Sequence, residues 1–112
     1  METTRQHKIA RLLQKELAEI LQTEGRNFSA SGMVTVTSAE VSKDFSFARI
    51  YLSIFGVGDK QSVLRELNTH KKELRFRLGQ RIKNQLRIVP EIHFMLDETL
   101  DYIENIDKLL KQ

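Results

Sequence analysis

"RFRLGQRIKNQLRIVPEIHF", residues 75–94, carries four arginines and a lysine, then passes through Pro90 into alternating apolar residues. Leu74, Leu78, Ile82 and Leu86 recur every fourth residue, which sets them on one helix face. Ile92, Phe94 and Leu96 recur every second residue, the period of a strand with one buried face. The only proline of the chain stands near the start of that strand, where a missing N–H does least harm. A basic helix that hands over to a strand offers its charge on a rigid support. How that strand joins a sheet depends on what lies upstream.

Upstream, "MVTVTSAEV" (33–41) and "FSFARIYLSIF" (45–55) are rich in β-branched and aromatic residues, with "SKD" as a turn between them. Ala48, Ile50, Leu52 and Ile54 share one face of the second strand, and strands this close in sequence pair as an antiparallel hairpin. "GVGDKQ" ends the second strand, and Asp59 is placed to cap a helix containing Val63, Leu64 and Leu67. An unbroken helix from there to Leu86 would put Lys71 among the leucines and Arg81 beside Leu74, at about 100° per residue. A break near residues 69 to 73 is therefore predicted, giving two helices. A helical crossover between the second and third strands makes them parallel neighbours.

Ile9, Leu12, Leu13, Leu17, Ile20 and Leu21 give an amphipathic first helix over residues 4–24, with Gly25 where a helix would stop. Asp97 can cap a last helix carrying Leu100, Ile103, Ile106 and Leu110. The predicted fold is α+β: order α-β-β-α-α-β plus a C-terminal helix, with helices packed on one face of a three-stranded mixed sheet. The chain has 112 residues, 40% hydrophobic and 29% charged, which suits one domain over 1–112 with 97–112 as a helical extension.

Cysteine is absent, so disulfides and thiolate metal sites are excluded and a reducing compartment is suited. The opening "METTRQHKIARLLQ" has no apolar signal-peptide core, and "ARIYLSIFGVG" is far shorter than the roughly 20 residues of a membrane span. A cytoplasmic protein with no membrane association is expected. The formal net charge is +3, but it is unevenly spread: residues 71–87 hold seven basic residues against one acidic, and residues 88–112 two against six. A positive segment this dense is the footprint of polyanion binding; a solvated helix face is the alternative.

The order of the first six elements resembles a type II KH domain. Three stretches, "RQHKIARLLQKELAEIL", "VTVTSAEVSKDFSFARIYLSIFG" and "RIVPEIHFMLDETLDYIENIDKLL", resemble the bacterial ribosome-binding factor A family over nearly the whole chain. The resemblance implies a cytoplasmic factor that binds the immature small (30S) ribosomal subunit and its 16S rRNA, assists late maturation of that RNA and leaves before translation. A monomer without cofactor or catalysis is expected. The sequence departs from the pattern in one place. It has no GxxG, the loop whose missing side chains let KH backbones approach phosphate, and where family members typically carry an Ala-x-Gly kink it reads "NTHKKEL".

Arg77, Arg81, Lys83 and Arg87 are the leading candidates for phosphate contact, with Lys71, Lys72 and Arg75 beside them; guanidinium forks suit phosphate oxygens. Arg75 and Lys71 sit on the shoulder of the apolar stripe, where their stems can lie along the core instead. Arg5 and Lys8, with Arg11 and Lys15, form a row on the first helix that Glu16 and Glu19 can neutralise in part, so RNA contact and a solvated face fit equally well. Lys43 is a lone charge at the hairpin tip. Phe47, Arg49, Tyr51 and Phe55 alternate on the outer strand face, where bases could stack but ordinary sheet cover is the simpler reading. "GVGD" offers a weak anion-binding signal before a helix. His7, His70 and His93 have no paired ligand spacing, so no metal is expected, and no catalytic grouping stands out. A general KH-like RNA-binding protein, and a protein-interaction module on the open sheet face, are the alternative functions.

Overall fold

The computed structural model describes residues 3–28, 33–55 and 59–97. The first helix, α1 (Thr4–Phe28), starts at a reciprocal cap. The Thr3 Oγ1 accepts from the Gln6 amide at 3.1 Å, and the Gln6 Oε1 accepts from the Thr3 amide at 2.9 Å. Gly25 does not end the helix, contrary to the sequence expectation. A helical glycine costs about 1 kcal/mol relative to alanine but keeps its N–H in the ladder, so the helix runs through it. Ile9, Leu13, Leu17, Ile20 and Leu21 form its buried stripe.

Strands β1 (Met33–Val41) and β2 (Phe47–Phe55) pair antiparallel as expected. The register steps from Val36↔Leu52 to Ser38↔Tyr51, so Thr37 is an extra residue, a β-bulge. Its effect is to switch parity: Val34 and Val36 face the helices before it, Ala39 and Val41 after it. Strict alternation from Val36 would have turned Ser38 and Glu40 into the core. From α1, the Gln14 Nε2 donates to the Thr37 carbonyl at 3.1 Å and the buried Gln6 Nε2 donates to the Val41 carbonyl at 2.9 Å.

At the hairpin tip Phe45 takes a left-handed φ of 60°, unusual for an aromatic residue. Its N–H donates to the Ser42 carbonyl at 3.0 Å and its ring packs against the core. The Arg5 guanidinium lies over that ring, 5.1 Å from the centroid.

Helices α2 (Lys60–Thr69) and α3 (Lys71–Ile82) meet at His70, whose φ of −97° and ψ of 11° interrupt the helix inside the predicted interval. Asp59 caps α2 by accepting from the Ser62 amide at 3.2 Å. The break lets Leu74, Leu78 and Ile82 bury completely while Lys71 stays half-buried. Leu86 is not part of α3, as the stripe had suggested; it lies in the turn after it, its N–H bonded to the Ile82 carbonyl at 2.9 Å.

Strand β3 (Glu91–Leu96) pairs parallel with β2 from Phe47↔Glu91 to Leu52↔Leu96, giving the sheet order β1-β2-β3. The core lies between the sheet and the three helices, with Ala48, Ile50, Leu52 and Ile54 of β2 and Ile92 and Phe94 of β3 on its sheet side. From α2, the Asn68 Oδ1 accepts from the Phe94 amide at 3.0 Å and its Nδ2 donates to the Phe94 carbonyl at 3.1 Å. The described elements follow the order α-β-β-α-α-β of a type II KH-like fold. The helix expected after Asp97 lies outside the described residues.

Candidate nucleic-acid interface

Burial of Leu74, Leu78 and Ile82 fixes the rotation of α3 and so sorts its cations. At about 100° per residue, Arg75, Lys72 and Lys83 fall on one flank of the leucine stripe and Arg77 and Arg81 on the other. The two flanks meet different neighbours.

On the first flank α3 and the approach to β3 enclose a groove of about 670 Å³. Lys71, Lys72, Arg75 and Lys83 border it, with Phe76, Gly79 and Gln80 between them and Val89, Glu91 and Ile92 opposite. Arg75 also holds the groove together: its Nη2 donates to the Val89 carbonyl at 2.6 Å and its Nε lies 3.2 Å from the carbonyls of Val89 and Pro90. Arg75 is exposed, and in place of the stem laid along the core that the sequence offered as an alternative it makes hydrogen bonds to the β3 approach. Gly79 keeps the walls close, since a Cβ there would come within 3.3 Å of the Val89 Cγ2. Lys83, the C-cap just past Ile82, sets its ammonium where the macrodipole favours a cation.

Phe76 is the site residue that sequence reasoning missed. It is 66% exposed, the ring standing among the lysines of the groove. The signal was present: between Arg75 and Arg77 it lies about 200° from Leu74, so it cannot join the apolar stripe. A ring on a basic wall can stack a base while the cations take phosphates.

On the second flank the cations are engaged by acids. The Arg81 Nε donates to the Glu16 Oε2 at 2.6 Å and its Nη2 pairs with Glu19, tying α3 to α1. The Arg77 Nη2 pairs with Glu73 one turn back at 3.1 Å. Arg87 is exposed in the loop after α3, beside Ile88, which is 68% exposed. Arg5 and Lys8 are exposed on α1, and Arg5 is committed to the Phe45 ring. The structure thus gathers four of the nine candidate cations around one groove and distributes Arg77, Arg81, Arg87, Arg5 and Lys8 over the surrounding surface. Among the described residues no group of three His, Asp or Glu side chains could hold a metal ion, and no helix is long and apolar enough to cross a membrane.

The hairpin tip holds a strongly shifted carboxyl. The Asp44 Oδ1 accepts from the Ser46 hydroxyl at 2.7 Å, the Ser42 hydroxyl at 2.8 Å and the Ser46 amide at 3.1 Å. Those bonds, the Ser46 hydroxyl first, hold its pKa down from 3.8 to about 2.

The chain is similar to known proteins over nearly its full length. The family described as ribosome-binding factor A matches residues 5–110. A ribosome-binding factor A from Cytophaga hutchinsonii is 44% identical over 112 residues, covering all of this chain and 84% of that one. The crystal structure of ribosome-binding factor A from Thermus thermophilus shares the fold, with a TM-score of 0.69 at 24% identity over 81% of this chain and 94% of that chain. A Thermus thermophilus RbfA fitted into the cryo-EM map of a 30S–RbfA complex superposes with a TM-score of 0.62 at 26% identity, covering 77% of this chain and 88% of that one. The helix–hairpin–helix–helix–strand order, the basic third helix and these likenesses agree, and the chain belongs to the ribosome-binding factor A family.

Proposed function

We propose that the protein is a cytoplasmic ribosome assembly factor that binds the immature small ribosomal subunit through its 16S rRNA and assists late maturation of that RNA. The observation that carries this reading is the groove beside α3, where Lys71, Lys72, Arg75 and Lys83 surround an exposed Phe76. Phosphates occupy the cations and set the register, and the ring takes a base face; neither contact requires a particular sequence. With no GxxG in the chain, the rigidity of α3 replaces a backbone clamp. Family membership, and the 30S complex in which the Thermus relative was fitted, support the same partner.

The test compares two pairs of substitutions in binding to small subunits over a range of salt. Lys72→Ala with Lys83→Ala removes two free phosphate partners and should flatten the slope of log affinity against log salt by about 1.5 units. Arg77→Ala with Arg81→Ala removes cations already neutralised by Glu73, Glu16 and Glu19 and should change binding less. Parent-like affinity of the lysine pair at every salt concentration would move RNA contact away from the groove. Docking of a protein partner on the outer sheet face would instead resist salt, because apolar burial releases no counterions.

A further inference from the structure

Between the end of α3 and the start of β3, Arg87 and Ile88 form a projection that is pinned on both sides. Before it, the Gln85 and Leu86 amides donate to the Ile82 carbonyl at 2.8 and 2.9 Å, and Leu86 packs against the core. After it, Val89 packs against the core, Pro90 is fully buried and the Glu91 amide donates to the Ser46 carbonyl at 2.9 Å. Arg75 adds its hold on the Val89 and Pro90 carbonyls. Ile88 therefore stands on a fixed support, and at 68% it is the most exposed large apolar side chain among the described residues.

An exposed apolar side chain is by itself an ordinary surface feature. The surroundings of Ile88 set it apart. Its neighbour Val89 forms the groove wall that faces Gly79, so Ile88 stands at the lip of the groove. Arg87, exposed beside it, adds a cation to those of Lys71, Lys72, Arg75 and Lys83, and Phe76 supplies a second exposed apolar side chain among them. An apolar pocket on a protein does not call for so many cations around it. RNA calls for both features, since it presents phosphates along its backbone and, between adjacent bases, an apolar slot that an aliphatic side chain can fill.

We propose that Ile88 is a wedge: it inserts between two adjacent bases of the RNA held at the groove and unstacks them, with Arg87 on a phosphate beside the opened step. This rests on the reading of the groove as an RNA site and adds a mechanical consequence to it. Stacking lost at the opened step is offset by the phosphate contacts around it and by the apolar surface that Ile88 buries. A β-branched side chain has few rotamers to lose, and the anchors at Leu86 and Val89 keep the backbone from yielding, so the push falls on the RNA. Phe76 offers the freed base a new face to stack on. The protein thus changes the conformation of the RNA that it binds.

The experiment uses the full chain and a set of synthetic RNA hairpins with a single-stranded 3′ tail, 2-aminopurine replacing each tail base in turn; this base fluoresces more strongly when it leaves the stack. Saturating protein should raise the fluorescence several-fold at one position or two adjacent ones. Ile88→Ala, an exposed substitution that leaves the fold in place, should lose most of that rise at saturation while keeping the parent's slope of log affinity against log salt. Ile88→Leu, equal in volume, should keep the rise. A parent-like rise with Ile88→Ala, or salt-sensitive binding by the parent without a rise at any position, would overturn the wedge and leave the groove reading standing. Weaker small-subunit binding by Ile88→Ala with the rise intact would overturn it too, assigning the side chain to a protein contact. Failure of every hairpin to bind in a salt-sensitive way would overturn both readings.

Discussion

Asn68 shows how much a single side chain carries in this fold. Its amide bonds both the N–H and the C=O of Phe94, as a neighbouring strand would. Asn68→Ala leaves both groups without that partner, and each unsatisfied group costs about 1–3 kcal/mol when water cannot replace it. Because the residue is half-buried, a loss of about 2 kcal/mol is expected, read as a lower urea midpoint at unchanged slope. Asp44 makes a prediction in pH. A carboxyl lowered in the folded state stabilises above its unfolded pKa and ceases to as pH falls through the folded one. Its contribution to the hairpin tip is therefore complete above about pH 4 and is lost between 3.8 and about 2. A carbon-13 titration of the Asp44 carboxyl should have its midpoint near 2, and Asp44→Asn should remove the matching step in the Ser46 amide proton chemical shift. The Asp59 cap was legible in the sequence because cap and helix are adjacent. Gln6, Asn68 and Arg75 were not, since each bonds a backbone 14 to 35 residues away and no local spacing encodes that.

Among the elements, α3 was read correctly in its buried face and incompletely in its charged one. Leu74, Leu78 and Ile82 are fully buried as their spacing required. Leu78→Ala should cost about 2–5 kcal/mol in chemical denaturation, through lost transfer energy and the cavity left behind. Counting cations gave Arg77 and Arg81 the same weight as Lys83, because a count ignores which neighbour each flank meets. Only the packing of α1 against α3 reveals Glu16 and Glu19 waiting for Arg81. The break at His70 was legible because the conflict of Lys71 with the leucine stripe is angular and local. The Thr37 bulge was not read, although Val34, Val36, Ala39 and Val41 fit one face only if parity changes between them.

For the whole molecule, the topology followed from one rule: two helices between strands make a crossover, and a crossover makes the strands parallel. Among the described residues the sheet has three strands and therefore two outer rims. Gln6 and Gln14 bond outward carbonyls of β1, and Arg75 and Asn68 occupy carbonyls on or next to β3. These bonds hinder self-recognition: a second copy that tries to extend the sheet finds the Thr37 and Val41 carbonyls of β1 and both backbone groups of Phe94 already taken. Gln14→Leu with Asn68→Leu removes one of these side-chain partners from each rim, and should convert the monomer expected in sedimentation into a concentration-dependent ladder of strand-to-strand aggregates.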